Sequence, residues 1–163
     1  MKIRIEELFD YCKQNGISIG NISESVMRAS TEAALKGEDT FEVSDNTYKI
    51  IDQAHQKDQE RQKQYNDISA YRLSGMKAED NKDIDEAIEQ YAKAIDTGEA
   101  SDFDLLHAYR HAYDRIIILL SRTHAYAREA EYIEQLLKRH NLQDSDRTRL
   151  EERLRKTYIK ISK

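Results

Sequence analysis

Residues 71–98 read YRLSGMKAEDNKDIDEAIEQYAKAIDTG, and the fold follows from them. Asp83 stands ahead of Ile84, Ala87, Ile88, Tyr91, Ala94 and Ile95, apolar positions spaced by three and four as one face of a helix requires. Its carboxylate is an N-cap, Glu86 three residues on completes a capping box, and Gly98 marks the expected end. Upstream, Ser44-Asp45-Asn46 is a capping cluster, and between Thr47 and about Asn81 there is no Pro and no Gly except Gly75. One long helix, or two in line, therefore runs into the turn before Asp83.

Working outward, Ser101-x-x-Asp104 predicts the cap of a further helix through Phe103, Leu106, Tyr109, Tyr113, Ile116, Ile117 and Leu120, the most apolar in the chain. A helix from about His124 to His140 follows, Asn141–Asp146 turns the chain, and a basic amphipathic helix from Arg147 to Ile161 carries Leu150, Leu154, Tyr158 and Ile161. Toward the N-terminus, residues 3–14 place Ile5, Leu8, Phe9 and Cys12 on one stripe, stopped by Asn15-Gly16. Asn21 with Glu24 then predicts a second short helix through Ile22, Val26, Ala29 and Ala33, ending near Gly37. Gln56 to Gln64 has no apolar residue, which suits either a solvated helix or a linker. The expected division is an N-terminal helical hairpin over residues 1–43, and a long helix leading into a helical repeat with a capping helix over residues 44–163.

Composition agrees with an all-α reading. Leu, Ile, Val and Phe together make 34 of 163 residues, so the core is thin, and two Val and no Pro beside 35 % charged residues favour helix over sheet. The longest apolar run, Ile116 to Leu120, is far short of a membrane span, and no signal peptide is recognisable, so a cytoplasmic location is expected. Cys12 has no partner for a disulfide and reads as a small buried hydrophobe. The net charge of −5 conceals a polarity: Glu79–Asp104 has ten acids against Lys82 and Lys93, whereas Lys138–Lys163 has nine cations against four acids. Such halves attract partners or each other.

The stretch from Tyr71 to Gly98 resembles a tetratricopeptide repeat (TPR). Tyr71, Gly75, Ala87, Tyr91 and Ala94 stand at the large, Gly, Ala, aromatic and Ala positions of that family, with departures at Ser74, Ala78 and Glu99. Asp102–His140 is similar to a second, degenerate unit in which Glu129-Ala130 echoes Glu86-Ala87 at a distance of 43 residues and Ile118 takes the Gly position. The resemblance implies a TPR-like antiparallel array of helix hairpins. It also implies a groove lined by the first helix of each unit, mapping onto Arg72, Met76 and Glu79 and, in the degenerate unit, onto Arg110 and Asp114. The function it implies is non-catalytic: binding a peptide or helix of a partner protein, with Met76 filling a pocket and Arg72 and Arg110 meeting acids. About three repeats are usually needed for stability, so a homodimer is one way to complete the stack.

Other clusters admit plainer roles. His107 and His111, one turn apart with Asp104 and Asp114 flanking them, have spacing that suits a metal, but Arg110 and Arg115 oppose a cation, and an exposed hydrogen-bonded pair is the expectation. Tyr109, Tyr113, Tyr126 and Tyr132 at helical spacing read as packing residues. The two N-terminal helices resemble a helix-turn-helix, but Glu24, Ser25, Arg28 and Ser30 do not form a basic, groove-reading face. The alternative functions are nucleic-acid binding or regulation through the basic C-terminal helix, with Arg149, Arg153 and Lys156, or self-assembly as a structural protein. No phosphate-binding loop, nucleophile elbow or paired-Cys motif is present, so no enzyme activity, metal or cofactor is expected.

Overall fold

The computed structural model describes all 163 residues. The chain is mostly helical, with seven α-helices and two three-residue strands. It divides into two compact units, Met1–Gln62 and Lys63–Lys163. One long helix, α3 (Thr47–Asp80), supplies residues to both, and it includes the polar stretch 56–64, which is therefore helix and not linker.

In the first unit the strands β1 (Lys2–Arg4) and β2 (Thr40–Glu42) pair antiparallel, with Ile3 opposite Phe41. The helices α1 (Ile5–Gln14) and α2 (Glu24–Leu35) lie between them in sequence, joined through a single 3-10 turn at Ile19–Asn21. This corrects the expectation of a purely helical hairpin: residue 3 belongs to a strand, and α1 begins at Ile5. The start of α2 is also corrected, since Ser23 and not Asn21 caps it, its Oγ accepting from the Val26 amide at 3.4 Å. Gly16 turns the chain after α1 at φ +64°, which lets the Ile17 amide donate to the Cys12 carbonyl. Ile3, Leu8, Cys12, Ile17, Ile22, Ala33, Phe41 and Ile51 form the core. Tyr11 Oη donates to Asp52 at 2.7 Å, tying α1 to the start of α3.

The second unit comprises the C-terminal part of α3, α4 (Ile84–Glu99), α5 (Leu106–Arg122), α6 (Tyr126–Leu137) and α7 (Asp144–Ile161), with α4 packing on α5, α5 on α6 and α6 on α7. Asp83 caps α4 as its sequence suggests, Oδ1 accepting from the Glu86 amide at 3.2 Å. Gly98 lies one residue before the end of α4 at Glu99, and its missing side chain makes room for the Tyr109 ring. Helix α5 starts at Leu106, so Phe103 precedes it; Asp104 Oδ1 accepts from the Leu106 amide and Ser101 Oγ from that of Phe103. His124 likewise falls outside α6, and α7 begins three residues ahead of Arg147.

Two turns in this unit are built alike. Lys82 between α3 and α4, and His124 between α5 and α6, both adopt φ 61°. The next amide in each case reaches back across the turn: Asp83 to the Ala78 carbonyl at 2.9 Å, and Ala125 to that of Leu120 at 2.8 Å. Both helices α3 and α5 thus end in the same left-handed closure, which returns the chain as a hairpin. In this register Gly75 corresponds to Ile117, one residue before the Ile118 suggested by sequence alone. The core between these hairpins is made of Ile68, Tyr91, Tyr109, Tyr113, Ile116, Leu119, Leu120, Ile133 and Leu136.

Candidate functional site

Helix α5 buries nine of its seventeen residues and turns a polar strip outward: His107, Arg110, His111 and Asp114. On one side the strip faces α7. Arg110 Nε donates to Asp114 Oδ1 at 3.3 Å, and its Nη1 donates to Asp146 Oδ2 on α7 at 3.4 Å. Two depressions of about 330 Å³ each lie along this face, one lined by Arg110 and the other by its partner Asp114. One has His107, Arg110, Leu142 and Asp146 in its wall; the other has Asp114, Ile117, Ile118, Arg149, Leu150 and Arg153, an apolar floor with charged edges.

On its other side the strip meets α3. The His107 ring stacks on Tyr65 with centroids 5.8 Å apart, and the His111 ring stands edge-on to Tyr91 at 6.1 Å. Arg115 donates through Nε and Nη2 to both oxygens of Glu79, and Tyr91 Oη donates to Glu79 Oε2 at 2.7 Å. Those donors, Arg115 first, hold the Glu79 carboxyl below the usual carboxylate range, while burial and the neighbouring carboxylate push the Tyr91 phenol up. The same arrangement recurs one helix further on. Tyr113 Oη donates to Glu99 Oε1 at 2.6 Å, and Arg139 Nη1 donates to Glu99 Oε2 at 3.0 Å. Tyr109, buried beside them, is pushed up to about 12 by desolvation.

The five residues singled out from the sequence fall in two places. Arg72 and Met76 lie on α3; Arg72 is half-buried with an Nε that has no hydrogen-bond partner, and Met76 is 42 % exposed. Glu79 is on the same helix, its carboxylate engaged by Arg115 and Tyr91. Arg110 and Asp114 are paired with each other on the α5–α7 face. Of the histidines expected as an exposed hydrogen-bonded pair, His107 is exposed and stacks on Tyr65, whereas His111 stands against Tyr91 with its Nδ1 buried and unpartnered, and Asp104 is taken up by Arg139 and Asn141. No three His, Cys, Asp or Glu side chains converge as a metal ion would need.

Sequence reasoning missed what α7 does here. Arg147 donates to the carbonyls of Leu137 and Arg139 at 2.7 and 2.8 Å, closing the exposed end of α6, and Arg153 Nε donates to Glu129 Oε1 at 2.9 Å. Glu129 is 1 % exposed, and its other oxygen has no partner. The basic residues read as a nucleic-acid face are thus partly structural. An acid directly before Ala130 on an otherwise apolar stripe was the one local sign of a buried partner. No helix is long and apolar enough to cross a membrane. Comparison with protein-family models, with curated proteins and with solved structures finds no match.

Proposed function

We propose that the second unit is a TPR-like interaction module, without catalytic activity, that binds a peptide or helix of a partner protein. The observation that carries this reading is the outward strip of α5 with its two depressions, one pairing apolar Leu106 and Leu142 with charged Arg110 and Asp146, the other pairing apolar Ile117, Ile118 and Leu150 with charged Asp114, Arg149 and Arg153. An apolar floor beneath a polar rim is what an anchored peptide side chain needs. The like turns at Lys82 and His124 support a hairpin array, because α3 and α5 are then the first helices of successive units. Met76 and Arg72, the one exposed and apolar, the other with an unused donor, extend the surface onto α3. Glu79 acts in this reading through Arg115 and Tyr91, as a positioning residue.

Nucleic-acid binding through α7 is the weaker alternative. Arg149, Arg155 and Lys156 are exposed, but each pairs with an acid of α7 itself, Asp146 or Glu152, which lowers their attraction for phosphate.

The test is affinity capture from the native host with three full-length baits: the native chain, Arg72→Glu with Met76→Asp, and Ile118→Asp. Circular dichroism verifies that each is folded. A protein retained by the first and lost from both variants assigns the groove. The same protein retained by all three overturns it, and retention of nucleic acid alone, lost at high salt, moves the function to α7.

A further inference from the structure

Two helices of the second unit carry opposite charge on faces that nothing covers. Within α4, Ile84–Glu99, five acids stand against Lys93, a net of −4; within α7, Asp144–Ile161, six cations stand against four acids, a net of +2. Asp85, Glu86, Glu89 and Asp96 are exposed on α4, and Arg155, Lys156 and Lys160 on α7. The two do not neutralise each other within the unit, since α5 and α6 separate them in the packing order. The ion pairs of α7 run to Asp146, Glu152 and Glu129, and Arg155 and Lys156 share the single carboxylate of Glu152, leaving positive charge in surplus. On α4 the one exposed pair is Lys93 with Glu89, which leaves Asp85, Glu86 and Asp96 without a cation.

The charged face of α7 is also partly apolar. Ile159, at helical spacing from Arg155 and Lys156, is 46 % exposed. Helices α4 and α7 have sixteen and eighteen residues, so they present edges of nearly equal length. Glu151 and Glu152 oppose every anionic partner alike, but a phosphate backbone gains nothing from Ile159, whereas the helix of a second copy meets both the basic and the apolar part of the face.

We propose that a second copy of this chain occupies this face, the outer side of α7 in one copy docking on the acidic side of α4 in the other. Neither helix face is the groove assigned above to a partner peptide, so the two readings stand or fall separately.

Sedimentation velocity on the full chain tests this as salt is raised from roughly 0.01 M to about 1 M, a range over which the screening length falls about tenfold. Association above the 19.1 kDa monomer at low salt, lost at high salt, is expected. Two variants decide the surface. Asp85→Lys with Glu86→Lys and Glu89→Lys takes α4 from −4 to +2, and Arg155→Glu with Lys156→Glu takes α7 from +2 to −2. Each alone sets like charge against like, and its association weakens by roughly a hundredfold or more. An equimolar mixture of the two restores complementary pairs, and association returns. A native chain that stays monomeric at every salt concentration overturns the proposal, as does a variant that associates like the native chain, or a mixture that stays dissociated while circular dichroism shows both variants folded.

Discussion

Replacing Gly75 by alanine opposes two effects of known size. Alanine is favoured over glycine inside a helix by about 0.8–1 kcal/mol, so an open site would be stabilised. At this one, a Cβ would lie 2.7 Å from both Cδ1 and Cε1 of Tyr91 and 2.9 Å from its Cζ. The ring cannot swing clear: Tyr91 is fully buried and its hydroxyl is held by Glu79 at 2.7 Å. Forcing an extra methyl into such packing costs typically about 1–3 kcal/mol, so the balance is a net loss of about 1 kcal/mol. With a urea slope of about 2 kcal/mol per molar, the midpoint falls by roughly 0.5 M, followed through the near-ultraviolet circular dichroism of the buried tyrosines. Gly98→Ala drives its methyl still deeper into the Tyr109 ring and loses more. In a Tyr91→Leu background the clash is gone, and Gly75→Ala there raises the midpoint, the propensity term being all that remains. A Gly75→Ala protein more stable than the native chain, or one whose loss is unchanged by Tyr91→Leu, would refute the close approach of α3 and α4.

Three further outcomes follow from the same contacts. Arg153→Ala strands the buried Glu129 carboxylate; because Arg153 itself is about a third exposed, the loss is about 2–3 kcal/mol in urea unfolding, below that of a fully buried pair, and Glu129→Leu in the same chain recovers most of it. Glu79 has a folded-state pKa lowered by Arg115, so its contribution is fully present above the ordinary carboxylate range and is lost as pH falls through the lowered value. Unfolding midpoints taken down the acid limb therefore drop less steeply for Glu79→Gln than for the native chain, and an identical slope in both would count against the Arg115–Glu79 pair. Cys12 is 2 % exposed and burial pushes its thiol up, so a thiol reagent labels it at the rate at which the first unit opens, and denaturant that destabilises that unit accelerates labelling in step. Rapid labelling of the native protein would place Cys12 outside the core.

Features with local causes were legible in the sequence. Asp83 capping α4, the Asn15-Gly16 stop and the apolar stripe of α5 each rest on residues within one or two turns of each other. The two strands were not, because each is three residues long and Ile3 finds Phe41 through pairing, with no alternation to announce it. The start of α5 was misplaced for a related reason: Ser101 and Asp104 do accept backbone amides, but in the turn ahead of the helix, and both composition and spacing are the same either way. In the candidate site, Arg110 and Asp114 were found from helical spacing, while Asp146, Arg149 and Arg153 depend on where α7 packs, which no spacing within α5 encodes. Glu79 was singled out as a groove residue, but its partners are twelve and thirty-six residues away, so its engagement by Tyr91 and Arg115 had no local sign.

A chain with so thin a core has to fix the register of its helices by something more directional than apolar area, and the tyrosines supply it. Glu79 at the end of α3 receives Tyr91 from α4 and Arg115 from α5; Glu99 at the end of α4 receives Tyr113 from α5 and Arg139 from beyond α6. Each carboxylate thus joins three segments, and a slip of either helix by one residue would break a phenol and a guanidinium contact together. Ion pairs buried in this way add little net stability but penalise every arrangement that leaves a charge unpaired. The third joint is different. Glu129 on α6 receives Arg153 from α7 but no tyrosine, and one of its oxygens is left without a donor. Helix α7 fully buries just Leu150 and Thr157 and is held largely by polar contacts, Arg147 and Arg153 reaching out from it and Arg110 reaching its Asp146. That helix also forms one wall of the α5 groove and carries the basic outer face, so both proposed interactions would be felt through it.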